Sequence, residues 1–390
     1  MTTPTVPTTL IEPFHLSVPE EQLADLRARL ARTRWPEQET VPDTSQGPQL
    51  AKVQALIEHW QHRYDWRACE ALLNGLGQFR TTIDGLDIHF LHVRSPEPSA
   101  LPLLMTHGWP GSVLEFRKVI GPLTDPAAHG GDPRQAFHLI LPSLPGFGFS
   151  GKPSGTGWGV PRIADAWITL MDRLGYSRWG AQGGDWGSAV TAAIGRRAPA
   201  GCVGLHFNFV MFQPTPEEVA GATPEEGAMI ASARHYVDVL SGYAKQQGTR
   251  PQTIGYSLAD SPVGLASWIY AMFQDVSDSG GNAEAVFSLD ELLDDIMLYW
   301  LPNTGASSAR LYWEAAQAGR AGPPPTEPIT VPAGFSMFPR EIIRTSRRWA
   351  ERRYSNVIHF GELDRGGHFA ALEQPELFTQ ELRASFGHVR

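Results

Sequence analysis

The stretch WGAQGGDWGSAV, residues 179–190, has the pattern of a strand entering a helix through a tight glycine turn with an aspartate at the apex. A reactive side chain on so sharp a turn needs small residues two positions before and two after it, because the strained backbone passes close to its neighbours. Gly183 and Gly187 supply that spacing around Asp185, and the amphipathic SAVTAAIGRRA that follows reads as the helix. An ordinary Asp-Gly surface turn would not call for small residues on both sides. The reactive residue of such turns is usually Ser or Cys. A carboxylate is ionised at neutral pH without help, so it attacks saturated carbon directly and leaves an alkyl ester.

Outward from this turn the sequence alternates between strands and helices. FRTTIDGLDIHFLHVRS alternates about Asp84-Gly85, a hairpin dipeptide. Apolar strand candidates follow at 101–106, 137–142, 178–182, 203–210, 329–336 and 356–361, with helical stretches between most of them. That order predicts an α/β fold, a mostly parallel sheet with helices on both faces. Ahead of it, Ser17 is placed to cap a helix with Glu20 three residues on, and Leu23, Leu26 and Leu30 mark one face. The sequence thus divides into an N-terminal helical meander (1–78), a first core part (79–210), a helical lid candidate (211–328) and a second core part (329–390). The proline-rich AGPPPTEP at 321–328 reads as a stiff connector out of the lid.

Composition excludes several classes. A net charge of -9, scattered without long runs, lacks the basic stripe of a nucleic-acid or anionic-membrane binder. Two cysteines, Cys69 and Cys202, are too few to staple this chain and fit a reducing compartment. MTTPTVPTTLIEPF has neither a basic start nor an apolar core, so a cytoplasmic protein without membrane attachment is expected. GFGFSGKP (146–153) carries G-x-G-x-x-G spacing and a lysine, but Pro153 offers no magnesium-binding hydroxyl and the chain continues as loop, which leaves a glycine turn rather than a nucleotide site.

An ester on Asp185 must be cleaved by a base held by an acid, with nucleophile, acid and histidine expected in that chain order. His368, in RGGHFAALEQPE, stands in a glycine-flanked loop after the last strand. Glu341 ends ITVPAGFSMFPRE after the preceding strand; Asp364 is the rival acid. Backbone N–H groups of Trp186 and, in MTHGWPGS, of Trp109 are the expected oxyanion donors, and the two indoles are expected to wall an apolar substrate pocket. His107 reads as a loop-holding side chain.

With these residues in hand the sequence resembles the α/β-hydrolase-fold epoxide hydrolases, in the branch of the microsomal and juvenile-hormone enzymes. The resemblance spans nearly the whole chain: FHLSVPEEQLADLRARLARTRWP, HGWPGS, GGDWGS, DSPVGLASWI, SSARLYWE, GFSMFPRE and GGHFAALEQPE. It implies Asp185 as nucleophile, Glu341 and His368 as the charge-relay pair, and two tyrosines that donate to the epoxide oxygen, matched by Tyr243 and Tyr312. A phenol with a pKa near 10 can donate to a developing alkoxide while neutral at pH 7. The resemblance further implies no cofactor and no metal, a small epoxide and water as partners, and admits a homodimer. Soluble actinobacterial members of natural-product pathways, enediyne pathways among them, suggest a bulky aryl epoxide. A haloalkane dehalogenase, with the same aspartate and indole N–H groups for halide, is the rival enzyme. A non-catalytic binding protein is the rival class, against which the intact Asp185, Glu341 and His368 weigh.

Overall fold

The computed structural model describes residues 10–321 and 326–390. Most of the Thr/Pro-rich lead and the proline run of the 321–328 connector lie outside the described residues. The strands are β1 (Glu12–Pro13), β2 (Gln78–Ile83), β3 (Leu86–Val93), β4 (Leu101–Thr106), β5 (Phe137–Pro142), β6 (Trp179–Gly183), β7 (Cys202–Phe207), β8 (Ala333–Met337) and β9 (Val357–Glu362). They form one nine-stranded sheet in the order β1-β2-β3-β5-β4-β6-β7-β8-β9.

The first three strands pair antiparallel, and β3 joins β5 in the same sense. Their hairpin turns where the sequence predicts, with left-handed φ of 50° at Asp84 and 78° at Gly85, the pair of positive values that matches strand twist. From β5 across to β9 every pairing is parallel. Every residue of β4 and β5 is buried, which is why LPLLMT and FHLILP run continuously apolar instead of alternating. One covering helix, Val160–Arg173, turns Ile163, Trp167 and Leu170 inward, and the Trp167 indole donates to the Thr106 hydroxyl at 3.1 Å.

The chain steps from β4 to β5 on one side and then crosses back to β6 on the other. Strand order reverses there, and the crevice outside the carboxyl ends of such strands is where α/β sheets place ligands. Thr106 pairs with Gly183, and Gly183 with Phe207, so the carboxyl ends of β4, β6 and β7 finish level.

Two expectations need correction. The first helix, Glu20–Leu30, begins at Pro19 with no side-chain cap, so Ser17 does not cap it. Pro19 holds Val18 out of the helical region, and the chain cannot turn until after the proline. Glu20 instead accepts hydrogen bonds from Arg27 and Arg67. Leu23, Leu26 and Leu30 are buried as the spacing requires. Likewise β8 starts at Ala333 rather than 329: Pro332 has no N–H to give the ladder, and Ile329 forms only an isolated bridge to Tyr354.

Between β7 and β8 the described chain is helical almost throughout. Thr215, Thr223 and Ser288 open three of the helices with reciprocal capping boxes to Glu218, Glu226 and Glu291. The longest are Pro262–Val276 and Gly305–Ala321. Among the described residues no helix is long and apolar enough to cross a membrane.

Candidate active site

Asp185 opens the helix that follows β6, with φ of 45°. The flanking glycines are there because nothing larger fits. A Cβ on Gly183 would lie 2.1 Å from the Gly187 carbonyl oxygen, and one on Gly187 would lie 1.9 Å from that of Thr106. The turn is therefore wedged against the end of β4, and its carboxylate faces the loop that leaves β4. Gly108 in that loop also has no room for a Cβ, which would meet Asp185 Oδ1 at 2.2 Å.

Asp185 is 8% exposed. Its Oδ1 accepts from the Trp109 backbone N–H at 2.8 Å, and the Trp186 N–H lies near enough to the carboxylate to favour its charged form. The two backbone donors expected from the sequence thus converge on this side chain. His107 holds the loop: its Nδ1 donates to the Gly108 carbonyl at 2.9 Å and its Nε2 accepts from Leu144 N–H at 3.2 Å. Burial lowers the His107 pKa to about 4, so it stays neutral with that tautomer.

His368 follows β9 and Glu341 follows β8, each just past a strand end. His368 Nδ1 lies 2.8 Å from Glu341 Oε1, and Nε2 lies 3.7 Å from Asp185 Oδ2. Glu341 Oε1 also accepts from Ile342 N–H at 2.7 Å. The rival Asp364 is exposed and faces Arg365. The histidine loop is pinned by its amides: Gly367 and Phe369 donate to the Glu373 carboxylate at 3.0 and 2.8 Å, and His368 N–H donates to the Val276 carbonyl at 3.0 Å. Gly367 permits this, since a Cβ there would come within 2.8 Å of the Val276 carbonyl oxygen.

Burial alone would lower the His368 pKa, but the carboxylates of Glu341, Asp185 and Glu115 outweigh it and push the imidazole up to about 10. Burial raises Asp185 above the ordinary carboxylate value, against the pull of His368 and the two backbone donors. The raised imidazole thus faces a carboxyl group whose own pKa is raised, 3.7 Å away.

Four aromatic side chains cluster around Asp185. Trp109 stacks on Tyr243 with ring centroids 4.8 Å apart, and Trp186 meets Tyr312 edge-on at 4.7 Å. The two tyrosine rings stand 5.9 Å from each other. Burial pushes both phenols well above 10, aided at Tyr312 by the Asp185 charge and at Tyr243 by Tyr312 and other neighbours, so both remain neutral. Among the described residues neither the Tyr312 hydroxyl nor the Trp186 indole N–H makes a hydrogen bond of good geometry, although the Trp186 and Tyr243 side chains both lie close to the Tyr312 hydroxyl. The Tyr243 hydroxyl lies 2.8 Å from that of Tyr236.

Two residues at this site escape the sequence reading. Tyr236 precedes Tyr243 by seven positions and reaches it through the π-turn at Tyr236–Leu240, whose irregular phase no helical period reveals. Glu115 lies in a short 3₁₀ turn, Val113–Phe116, where a charge reads as surface; the one signal was its position just after HGWPGS.

Comparison with known proteins places this geometry in a class. The family described as "Epoxide hydrolase N terminus" matches residues 11–116, and that of the alpha/beta hydrolase fold matches residues 102–214. A protein of Stigmatella aurantiaca, itself assigned only provisionally as an epoxide hydrolase, is 55% identical over 97% of this chain and 86% of its own. Epoxide hydrolase 1 of Sus scrofa is 37% identical over 97% of this chain and 88% of its own. The crystal structure of juvenile hormone epoxide hydrolase from Bombyx mori superposes with a TM-score of 0.89 at 27% identity, covering 98% of this chain and 95% of that one. This chain belongs to the epoxide hydrolase family, with the α/β-hydrolase fold.

Proposed function

We propose that this chain opens an epoxide with Asp185, forming an alkyl ester that water activated by His368 then cleaves to a vicinal diol. Oδ1 is held by Trp109 N–H, which leaves Oδ2 as the attacking oxygen. Tyr312 and Tyr243 donate to the oxygen released from the ring. In the second step Glu341 holds the imidazole, His368 takes a proton from water, and the water oxygen adds to the Asp185 carboxyl carbon. Oδ1 becomes the oxyanion, stabilised by the Trp109 N–H already bonded to it and by the Trp186 N–H beside the carboxyl group.

The proton balance closes around the buried ion pair. Ring opening takes up one proton and esterification removes the Asp185 charge; the proton leaving His368 satisfies both and leaves the neutral imidazole a base requires. Ester hydrolysis returns the proton to His368 and the charge to Asp185. Epoxide and water sum to the diol, with no cofactor in the balance.

The observation that carries this reading is the buried Tyr312 hydroxyl, which makes no hydrogen bond of good geometry among the described residues and lies close enough to Asp185 to feel its charge. A buried hydroxyl without a partner is costly unless something else accepts from it, and an epoxide oxygen is an acceptor. Tyr236 can donate to the Tyr243 oxygen, freeing the Tyr243 proton for substrate and strengthening it as a donor. The aromatic walls favour an aryl epoxide. In this reading 211–328 serves as the lid; the setting in natural-product biosynthesis rests on the resemblance alone. A panel of aryl and alkyl epoxides supplies the test. Tyr312→Phe and Tyr243→Phe are each expected to slow ester formation about 10²-fold, and the double variant to abolish it. Unchanged ester formation in the double variant would overturn the role of the phenols and revive the dehalogenase reading, in which no alkoxide needs protonating.

A further inference from the structure

The Glu115 carboxyl is out of place for a residue of a surface turn. It folds back over Gly111, where a Cβ would stand 2.3 Å from its Cδ, and lies near the Gly108 backbone N–H. Among the described residues no basic side chain forms a salt bridge with it. The two cations next along the chain are engaged elsewhere, Arg117 with Asp294 at 2.5 Å and Lys118 with Glu291 at 2.8 Å. What Glu115 faces is the active centre: with Asp185, His368, Thr106 and Asn208 it supplies the polar lining of a cavity of about 20 Å³. A water needs about 10–15 Å³ of such space and two to four polar partners, so the cavity is the size of one water and is suitably lined.

We infer that Glu115 is a positioning residue for ester hydrolysis, accepting one O–H of the attacking water while His368 Nε2 accepts the other, so that one of the water's lone pairs points at the Asp185 carboxyl carbon. This rests on the ester mechanism proposed above. Glu115 takes no proton from the water; His368 does. Burial, with the charges of Asp185 and Glu341 added and that of His368 subtracted, raises the Glu115 pKa to about 8. Ester formation removes the Asp185 charge and, with it, the opposing charge of His368, so burial keeps the Glu115 pKa raised and the carboxyl meets the water through its carbonyl oxygen.

The test separates the two chemical steps in single turnovers, using the epoxide turned over fastest in the panel. Glu115→Met keeps the shape and removes the carboxyl acceptor: ester formation is expected within about threefold of wild type and ester hydrolysis about 10²-fold slower. Glu115→Gln retains a carbonyl acceptor and is expected to bring hydrolysis back to within about tenfold. Wild-type hydrolysis in Glu115→Met, an equal slowing of both steps, or a Glu115→Gln no better than Glu115→Met overturns the proposal. Should Glu115→Met fail to fold, Glu115→Asp decides, since a carboxyl withdrawn by one methylene is expected to hydrolyse the ester more slowly than Glu115→Gln, and equal rates overturn it. A single wild-type turnover in water enriched in heavy oxygen is the control: label in the first diol with none on Asp185 means that the ester mechanism itself has failed, whatever the Glu115 variants do.

Discussion

Asp185→Ala lowers epoxide hydrolysis by about 10⁴-fold or more, with no covalent intermediate at any time. Removing a nucleophile costs this much because the remaining groups act only through it. His368 could still activate water, but its Nε2 is aimed at the Asp185 carboxyl group 3.7 Å away and not at a ring carbon. The fold should survive, since the Asp185 side chain makes one short hydrogen bond, to Trp109 N–H, and the glycines rather than the aspartate admit the close turn. Alanine does resist the positive φ of 45° found here, at a cost of about 1–3 kcal/mol. Asp185→Asn, which tolerates that conformation, is the matched control for folding. Diol formation by high-resolution chromatography over a panel of epoxides reads the effect, and residual activity within about tenfold of wild type in both variants would remove Asp185 from the mechanism.

His368→Gln arrests the reaction after one half. Ester formation continues, slowed by loss of the imidazolium that balances the proton, whereas hydrolysis falls by about 10⁴-fold because no other neutral base faces the Asp185 carboxyl carbon. The expected signature is one equivalent of product retained on the protein, a mass increase equal to that of the epoxide, on the peptide that carries Asp185. Trp109 and Trp186 flank the site and should report its formation as a fluorescence change. Turnover that stops without a mass increase would mean that His368 acts before the ester and not after it. Glu341→Gln should resemble His368→Gln in kind with a smaller effect, since it loosens the imidazole without deleting it.

Much of this architecture could be read from particular residues. β4 and β5 were legible because a strand covered on both faces is apolar without interruption, and the β2–β3 hairpin because Asp84-Gly85 suits two positive φ values. The turn at Asp185 was legible because close approach leaves only glycine at 183 and 187. What escaped has physical reasons. β1 is two exposed residues at the sheet edge, too short to alternate. Ser17 had the residue type of a cap, but Pro19 delays the helix. Glu115 and Tyr236 reach the site through a 3₁₀ turn and a π-turn, whose phases differ from the periods a sequence reading uses. Hydrogen-bond partners across the fold, such as His107 to Leu144, follow from strand order and not from spacing along the chain.

The central claim is that an oxygen of Asp185, not of water, enters the first diol. A single turnover with enzyme in excess, run in water enriched in heavy oxygen, measures this directly. The mechanism predicts an unlabelled diol and a labelled Asp185 carboxylate, found by mass spectrometry of the peptide. Label in that first diol with none on Asp185 would show that water attacks the ring itself, and would contradict the account.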